Sequence, residues 1–318
     1  MSKNKKYEFG DVVVNQTYAG QAAYPYLSAA LKSGATLANN WVTIHENIQH
    51  KLSLQTVSTD GNLADATCDF AETTTTTLAD NTIELKELMF GADLCKKTLR
   101  TSWEAESMGS HINGRIAPQF EEYIIAYYAA IIAEQVENGL WNGNGSNALL
   151  GFRDSTSGVI RPGVTTHTQS DTAFDGTNVI SKGFNAAYGK AASDRSAILS
   201  KADLAFYVST DVGSFYKQNL SASGGFSVTY DQYGGNIPFD YLGTPIHVCP
   251  GLPAGTILLT YESNLHFATN LLTDWSNLGV INRTPVDGSD NIRIYGKFAA
   301  GVGVGTPADV VSCTTSAN

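Results

Sequence analysis

Residues 118–139, PQFEEYIIAYYAAIIAEQVENG, decide how the rest of the chain is read. Proline is favoured at the first helical position, where its missing N–H costs nothing. Glu121 and Glu122 fall in the first turn, where negative charge suits the helix dipole. Apolar side chains recur at helical spacing in two adjacent stripes. One is Phe120, Ile124, Tyr127 and Ile131; the other is Ile125, Tyr128, Ile132 and Val136. So wide a face predicts a helix packed deeply on a sheet, with its tyrosines in the core. Gly139 is the expected stop, and the LWNGNGSN from 140 to 147 is turn chemistry.

Toward the N-terminus the period changes to two. Over residues 50–59, Leu52, Leu54 and Thr56 alternate with Ser53, Gln55 and Val57, which predicts a strand. A polar stretch at 60–81, with five threonines at 73–77, leads to a β-type segment at about 82–98. The two strands make a long hairpin with little core of its own. Such a hairpin is marginal in water, and its open edges invite another chain unless covered. A neighbouring copy is the economical cover. Further upstream, Leu37, Trp41, Ile44 and Ile48 are spaced for a short amphipathic helix. Helical spacing also runs from Tyr26 to Leu31, and residues 1–24 read as an extended polar arm carrying Lys3, Lys5 and Lys6.

Beyond the long helix, residues 150–175 read as loop. Helices are expected at 179–192 and, capped by Thr210, at 210–219. Strands are expected at 204–208, 239–248, 256–261, 265–268 and 291–304, and a Gly/Ser/Tyr-rich loop at 221–236. The GVGVG from Gly301 predicts close backbone approach within the last strand. No internal repeat is visible, and the class is α+β.

The chain has 318 residues, of which 42% are hydrophobic and only 16% charged. The usual charged share is about 25%, and the deficit suits a surface largely covered by neighbours. Twenty basic residues against thirty acidic ones leave a net charge of −10. Phosphate-contacting proteins need clustered Lys and Arg, so direct nucleic-acid binding is disfavoured. An acidic inner wall still suits a container through which DNA must slide. Neither a signal peptide nor a membrane span is expected.

Catalysis needs acid, base or nucleophile groups within hydrogen-bond reach, and the sequence offers no strong set. His45 and His50 lie in HENIQH, not in a zinc-binding HExxH. His111, His167, His247 and His266 are scattered. Cys68, Cys95, Cys249 and Cys313 form no CxxC pair and read as reduced thiols. GVGVGTP lacks the Lys-Ser/Thr of a phosphate loop, and no GxSxG elbow appears. Glu104/Glu106 and Glu121-Glu122 read as solvated helix faces. Asp287, Asp290 and Asn291 supply oxygens at calcium-ligand spacing, but a β-turn fits them better. No catalytic, cofactor or metal site is expected, and the chain reads as architecture.

Three stretches bring a family to mind: LKELMF at 85–90, LCKK at 94–97 and TSWEAE at 101–106, followed by Pro118 and the helix ending in GLWNG at 139–143. Together with YLGTPI at 241–246, Gly251-Leu-Pro and Asn264-Leu, they resemble the major capsid proteins of tailed bacteriophages built on the Hong Kong 97 fold. Those of phages infecting Bacteroides-type bacteria are similar in the same stretches. The resemblance covers most of the chain after about residue 20 and rests on packing and turn residues. It implies an N-terminal arm (1–49), an extended β-hairpin loop (50–104), a peripheral domain with a spine helix (105–149), an axial domain (150–255) and strands returning to the periphery (256–318). It also implies a non-enzymatic virion protein, assembled in the host cytoplasm, whose pentamers and hexamers form an icosahedral shell enclosing DNA. Scaffolding, portal and decoration proteins are the partners it implies. The arm is too short for a removable scaffolding segment, so a separate scaffold or none is expected. Some family members are crosslinked through lysine; Lys51, Lys86, Lys96 and Lys97 lie in the right region but match no crosslinking motif.

Two other readings stay open. A tail-tube or other virion ring protein would share the long hairpin but lack the helix from Pro118. A carbohydrate-binding surface protein would fit the 15 tyrosines and the Thr/Gly/Asn-rich loops, but needs an export signal.

Overall fold

The computed structural model describes residues 35–61, 63, 65, 66, 68, 73–95, 118–144, 149–153, 160, 165–222, 239–270 and 279–315. The expected arm at 1–24, the helical stretch expected from Tyr26 to Leu31, the segment at 96–117 and, beyond Ala222, the loop expected at 221–236 lie outside the described residues. Among those described, the chain opens with one helical turn, α1 (Ala35–Ala38), and strands β1 (Thr43–His45), β2 (Lys51–Asp60), β3 (Thr75–Glu84) and β4 (Lys86–Cys95). The long helix α2 (Pro118–Asn142) and strand β5 (Thr166–Ser170) follow. A π-helical turn (Val179–Phe184) then runs straight into α3 (Asn185–Asp194). Next come β6 (Leu204–Val208), α4 (Thr210–Ala222), β7 (Asp240–Tyr241), β8 (Thr244–Val248), β9 (Thr256–Tyr261) and β10 (Leu265–Thr269). The chain ends through β11 (Gly279–Asn282), α5 (Thr284–Asp287), β12 (Asn291–Val304) and β13 (Val311–Thr315).

Two compact units emerge. The larger comprises residues 34–86, 134–269 and 300–318. Its main sheet is mixed, in the order β5-β13-β9-β6-β8-β7, with β13/β5 and β6/β8 parallel. Every residue of β6 and β13 is buried, as expected of strands covered on both faces. Leu204, Phe206 and Val208 point to one face, into a core with Phe184, Val212 and Ile257 supplied by the flanking helices and β9. The alternate residue Tyr207 meets Trp141, at the end of α2, with ring centroids 5.6 Å apart. Separately, β1 pairs in parallel with β10, and β10 antiparallel with the last residues of β12. The smaller unit comprises residues 1–33, 87–133 and 270–299. In it β11 pairs antiparallel with the first half of β12, and Phe90 of β4 packs on Tyr128 of α2 at 5.3 Å.

Several expectations hold: α2 starts at Pro118, and β6, β9 and β12 have the expected bounds. The GVGVG reading holds as well. A Cβ on Gly303 would stand 2.4 Å from Ile83 Cγ1, and one on Gly301 2.5 Å from the Glu84 carbonyl oxygen. Other expectations need correction. Gly139 does not end α2, which continues because Leu140 and Trp141 are fully buried. The helix stops at Gly143, where a Cβ would lie 2.1 Å from the Leu149 carbonyl oxygen. The expected helix from Leu37 to Ile48 is one turn and then a strand. Asn40 and Asn47 have φ of 54° and 64°, which no helix permits, and the β-branched run Val42-Thr43-Ile44 favours extension. The strand expected at 239–248 is a tight hairpin, turned by Leu242 (φ 51°) and Gly243 (φ 78°).

Candidate assembly surface

The hairpin is real but its limits differ from those expected. All ten residues of β2 pair with β3, from Lys51↔Glu84 to Asp60↔Thr75. Threonines 75–77 therefore sit in the ladder, where β-branching favours them, and the tip shrinks to 61–74. The segment expected as one strand at 82–98 breaks at Leu85, whose N–H bonds the His50 carbonyl, and β4 departs to pair with β12.

The root of the ribbon is held firmly. Ile83 is 2% exposed, seated over the bare backbone of Gly301 and Gly303. Asn81 donates from Nδ2 to the Val304 carbonyl at 2.7 Å. Lys51 and Glu84 close the other face with an exposed ion pair, and Lys51 holds the Glu84 carboxyl below its usual range. Beyond Asn81 only Leu54 and Thr56 of the paired residues are even half-buried. Val57 and Leu78, directly opposite each other, are 65% and 74% exposed. A paired apolar patch thus stands on a ribbon that, among the described residues, has no layer behind it. In the smaller unit, β4 alternates regularly between half-buried and exposed positions. Its outward face carries Met89, 74% exposed, and Asp93, which Arg293 holds in a two-bond clasp at 2.8 and 2.9 Å.

Among the described residues the histidines meet their partners in pairs. His247 donates from Nε2 to Glu262 Oε1 at 3.0 Å and stacks on Trp41 at 4.3 Å. Burial lowers its pKa despite that carboxylate. His167 reaches Ser312 Oγ at 2.7 Å, but burial, and after it the charge of Arg153, lowers its pKa, whereas a carboxylate orients a catalytic Ser–His pair. His45 and His266 bond each other at 3.1 Å. Cys249 and Cys313 are buried, and burial pushes the Cys313 thiol to about 12 and that of Cys249 higher still. Cys68 and Cys95 are exposed free thiols. Among the described residues no three His, Cys, Asp or Glu side chains gather as metal ligands. Gly288, at φ 68°, closes α5 between Asp287 and Asp290. His111, Lys96, Lys97, Glu104 and Glu106, and the side chains of Glu121 and Glu122, lie outside the described set.

Sequence reading missed Glu137, which faces inward from α2. Its Oε1 accepts from Thr36 Oγ1 at 2.6 Å and Trp141 Nε1 at 3.3 Å, and its Oε2 from the Thr36 N–H at 3.2 Å. Burial nevertheless raises the carboxyl pKa, outweighing these donors. The available signal was a glutamate beside Val136 and one turn before Leu140-Trp141, on the apolar stripe.

No protein-family model matches this chain, and no curated protein matches it. Solved structures do. A chain of "Capsid of native GTA particle computed with C5 symmetry" superposes with a TM-score of 0.56 at 15% identity, covering 99% of this chain and 95% of its own. A chain of "The capsid of Myoviridae Phage XM1" gives 0.53 at 12% identity, with 97% and 96% covered. One from "Satellite phage P4 procapsid including size determination (Sid) protein" gives 0.52 at 15%, with 98% and 93% covered. Each likeness runs nearly the full length of both chains, and this chain has the α+β fold of phage capsid proteins.

Proposed function

We propose that this chain is the major capsid protein of a tailed bacteriophage, a shell-building subunit with no catalytic role. The observation that carries the proposal is the β2–β3 ribbon, ten residue pairs long, with the apolar pair Val57–Leu78 uncovered in a chain of capsid fold. Heterologous contacts that close make rings, and an edge-bearing ribbon docked across the next copy gains both hydrogen-bond partners and apolar contact. In this reading the fold is of the Hong Kong 97 type. Residues 1–49 are the arm, 50–104 the extended loop, 105–149 the peripheral domain with α2 as spine helix, 150–255 the axial domain, and 256–318 the returning strands. Pentamers and hexamers tile an icosahedral shell, assembled in the host cytoplasm with portal, decoration and, where used, scaffolding proteins. The net charge of −10 supports enclosure of DNA without sequence-specific binding. The tail-tube and carbohydrate-binding readings are not favoured by the full-length likeness to capsid chains.

Electron microscopy and sedimentation of the expressed chain, alone and with its neighbouring virion proteins, test this. Pentamers, hexamers or hollow shells are expected. A monomer at every salt and protein concentration, with no shell under co-expression, would reject it.

A further inference from the structure

We propose that His45 and His266 form a two-histidine chelating site for a divalent transition-metal cation of the copper, nickel or zinc class. Parallel pairing of β1 with β10 sets Thr43 opposite His266 and His45 opposite Ala268. The two histidines are therefore diagonal neighbours, and the period of two places both on one face of the pair. Nε2 of His45 lies 3.1 Å from Nδ1 of His266, with ring centroids 5.2 Å apart and planes tilted by 39°. Two nitrogens bound to one cation at about 2.0–2.1 Å stand roughly 2.9 Å apart at a right angle and roughly 3.4 Å apart in a tetrahedron. The observed separation falls between these limits, as ligation of one cation by both rings requires.

The surroundings suit ligation. Imidazole binds metal as the neutral base, the form an ordinary histidine takes above about pH 6.5. Both rings are half-buried, and β1 is the edge strand of its sheet, so a cation reaches them from solvent. Beside His266, a Cβ on Gly305 would stand 3.3 Å from Nε2; the glycine leaves the ring room to turn. Two imidazoles with water in the remaining positions select copper, nickel or zinc over magnesium or calcium, with copper held most tightly.

The test uses the full-length purified chain titrated with cupric ion at about pH 7.5, above the ordinary histidine pKa of about 6.5. One equivalent is expected at this pair, with an electron paramagnetic resonance spectrum split by two nitrogens. His45→Gln and His266→Gln should each weaken that binding by at least the roughly 10- to 100-fold that even outer-sphere changes cost. His167→Gln and His247→Gln should leave it unchanged. His45 lies on a three-residue edge strand, so His45→Gln decides the matter if His266→Gln fails to fold, with circular dichroism as the check. The same affinity and spectrum in wild type and His45→Gln, or no binding at all, overturns the proposal; a pair that merely shares one proton gives that result.

Discussion

Replacing Val57 and Leu78 together by serine separates what the ribbon does for the subunit from what it does between subunits. Both side chains are mostly in water already, at 65% and 74% exposure. Surface changes of that kind alter stability by about 0.5 kcal/mol or less. The root behaves differently: Ile83, 2% exposed over Gly301 and Gly303, should cost about 2–5 kcal/mol as Ile83→Ala. Burying a Val or Leu fully is worth about 1.5–3 kcal/mol, so covering the exposed fractions yields about 1–2 kcal/mol per side chain. The pair thus contributes about 2–4 kcal/mol to each intersubunit contact, roughly 30- to 800-fold in its equilibrium constant. Thermal unfolding of the unassembled subunit, alongside sedimentation of particles over a concentration series, reads the two effects separately. Val57→Ser/Leu78→Ser should melt like wild type and need far more protein to form shells. Unchanged assembly would refute the intersubunit role. A melting loss as large as that of Ile83→Ala would refute the claim that the outer ribbon lies off the core.

Ile132 is buried on α2 whereas Ile131 is only half-buried. Ile132→Asp should therefore cost several kcal/mol, on the order of 3–5, and leave insoluble protein, while Ile131→Asp should be distinctly milder by soluble yield and denaturant midpoint. Glu137 carries a pKa raised by burial above the ordinary glutamate value of 4.5. Its proton binds more tightly in the folded than in the unfolded chain, so its contribution is fully present below about 4.5 and is lost as pH rises through the folded pKa. Glu137→Gln should remove that fall, seen as a flatter dependence of denaturant midpoint on pH above 4.5; an unchanged slope would show that the carboxyl does not titrate there.

For the strongest local patterns, reading the sequence succeeded. Pro118 and two apolar stripes specify α2, alternation specifies β2, and the run Leu204–Val208 specifies β6, because helix starts, periodicity and continuous apolar runs are local properties. What the tertiary structure decided lies elsewhere. β5 reads THTQS and β13 reads VSCTT, and neither announces a strand; each is one because it bonds the other in parallel across 145 residues of chain. The split at Leu85 depends on β12 accepting β4, and the tip is short because Lys51–Asp60 finds a partner for every residue of Thr75–Glu84. Glu137 and Thr36 meet across 101 residues, and His45 and His266 across 221. Ladder hydrogen bonds and buried polar pairs belong to two segments at once, and a free energy shared between distant segments leaves no pattern in either one alone.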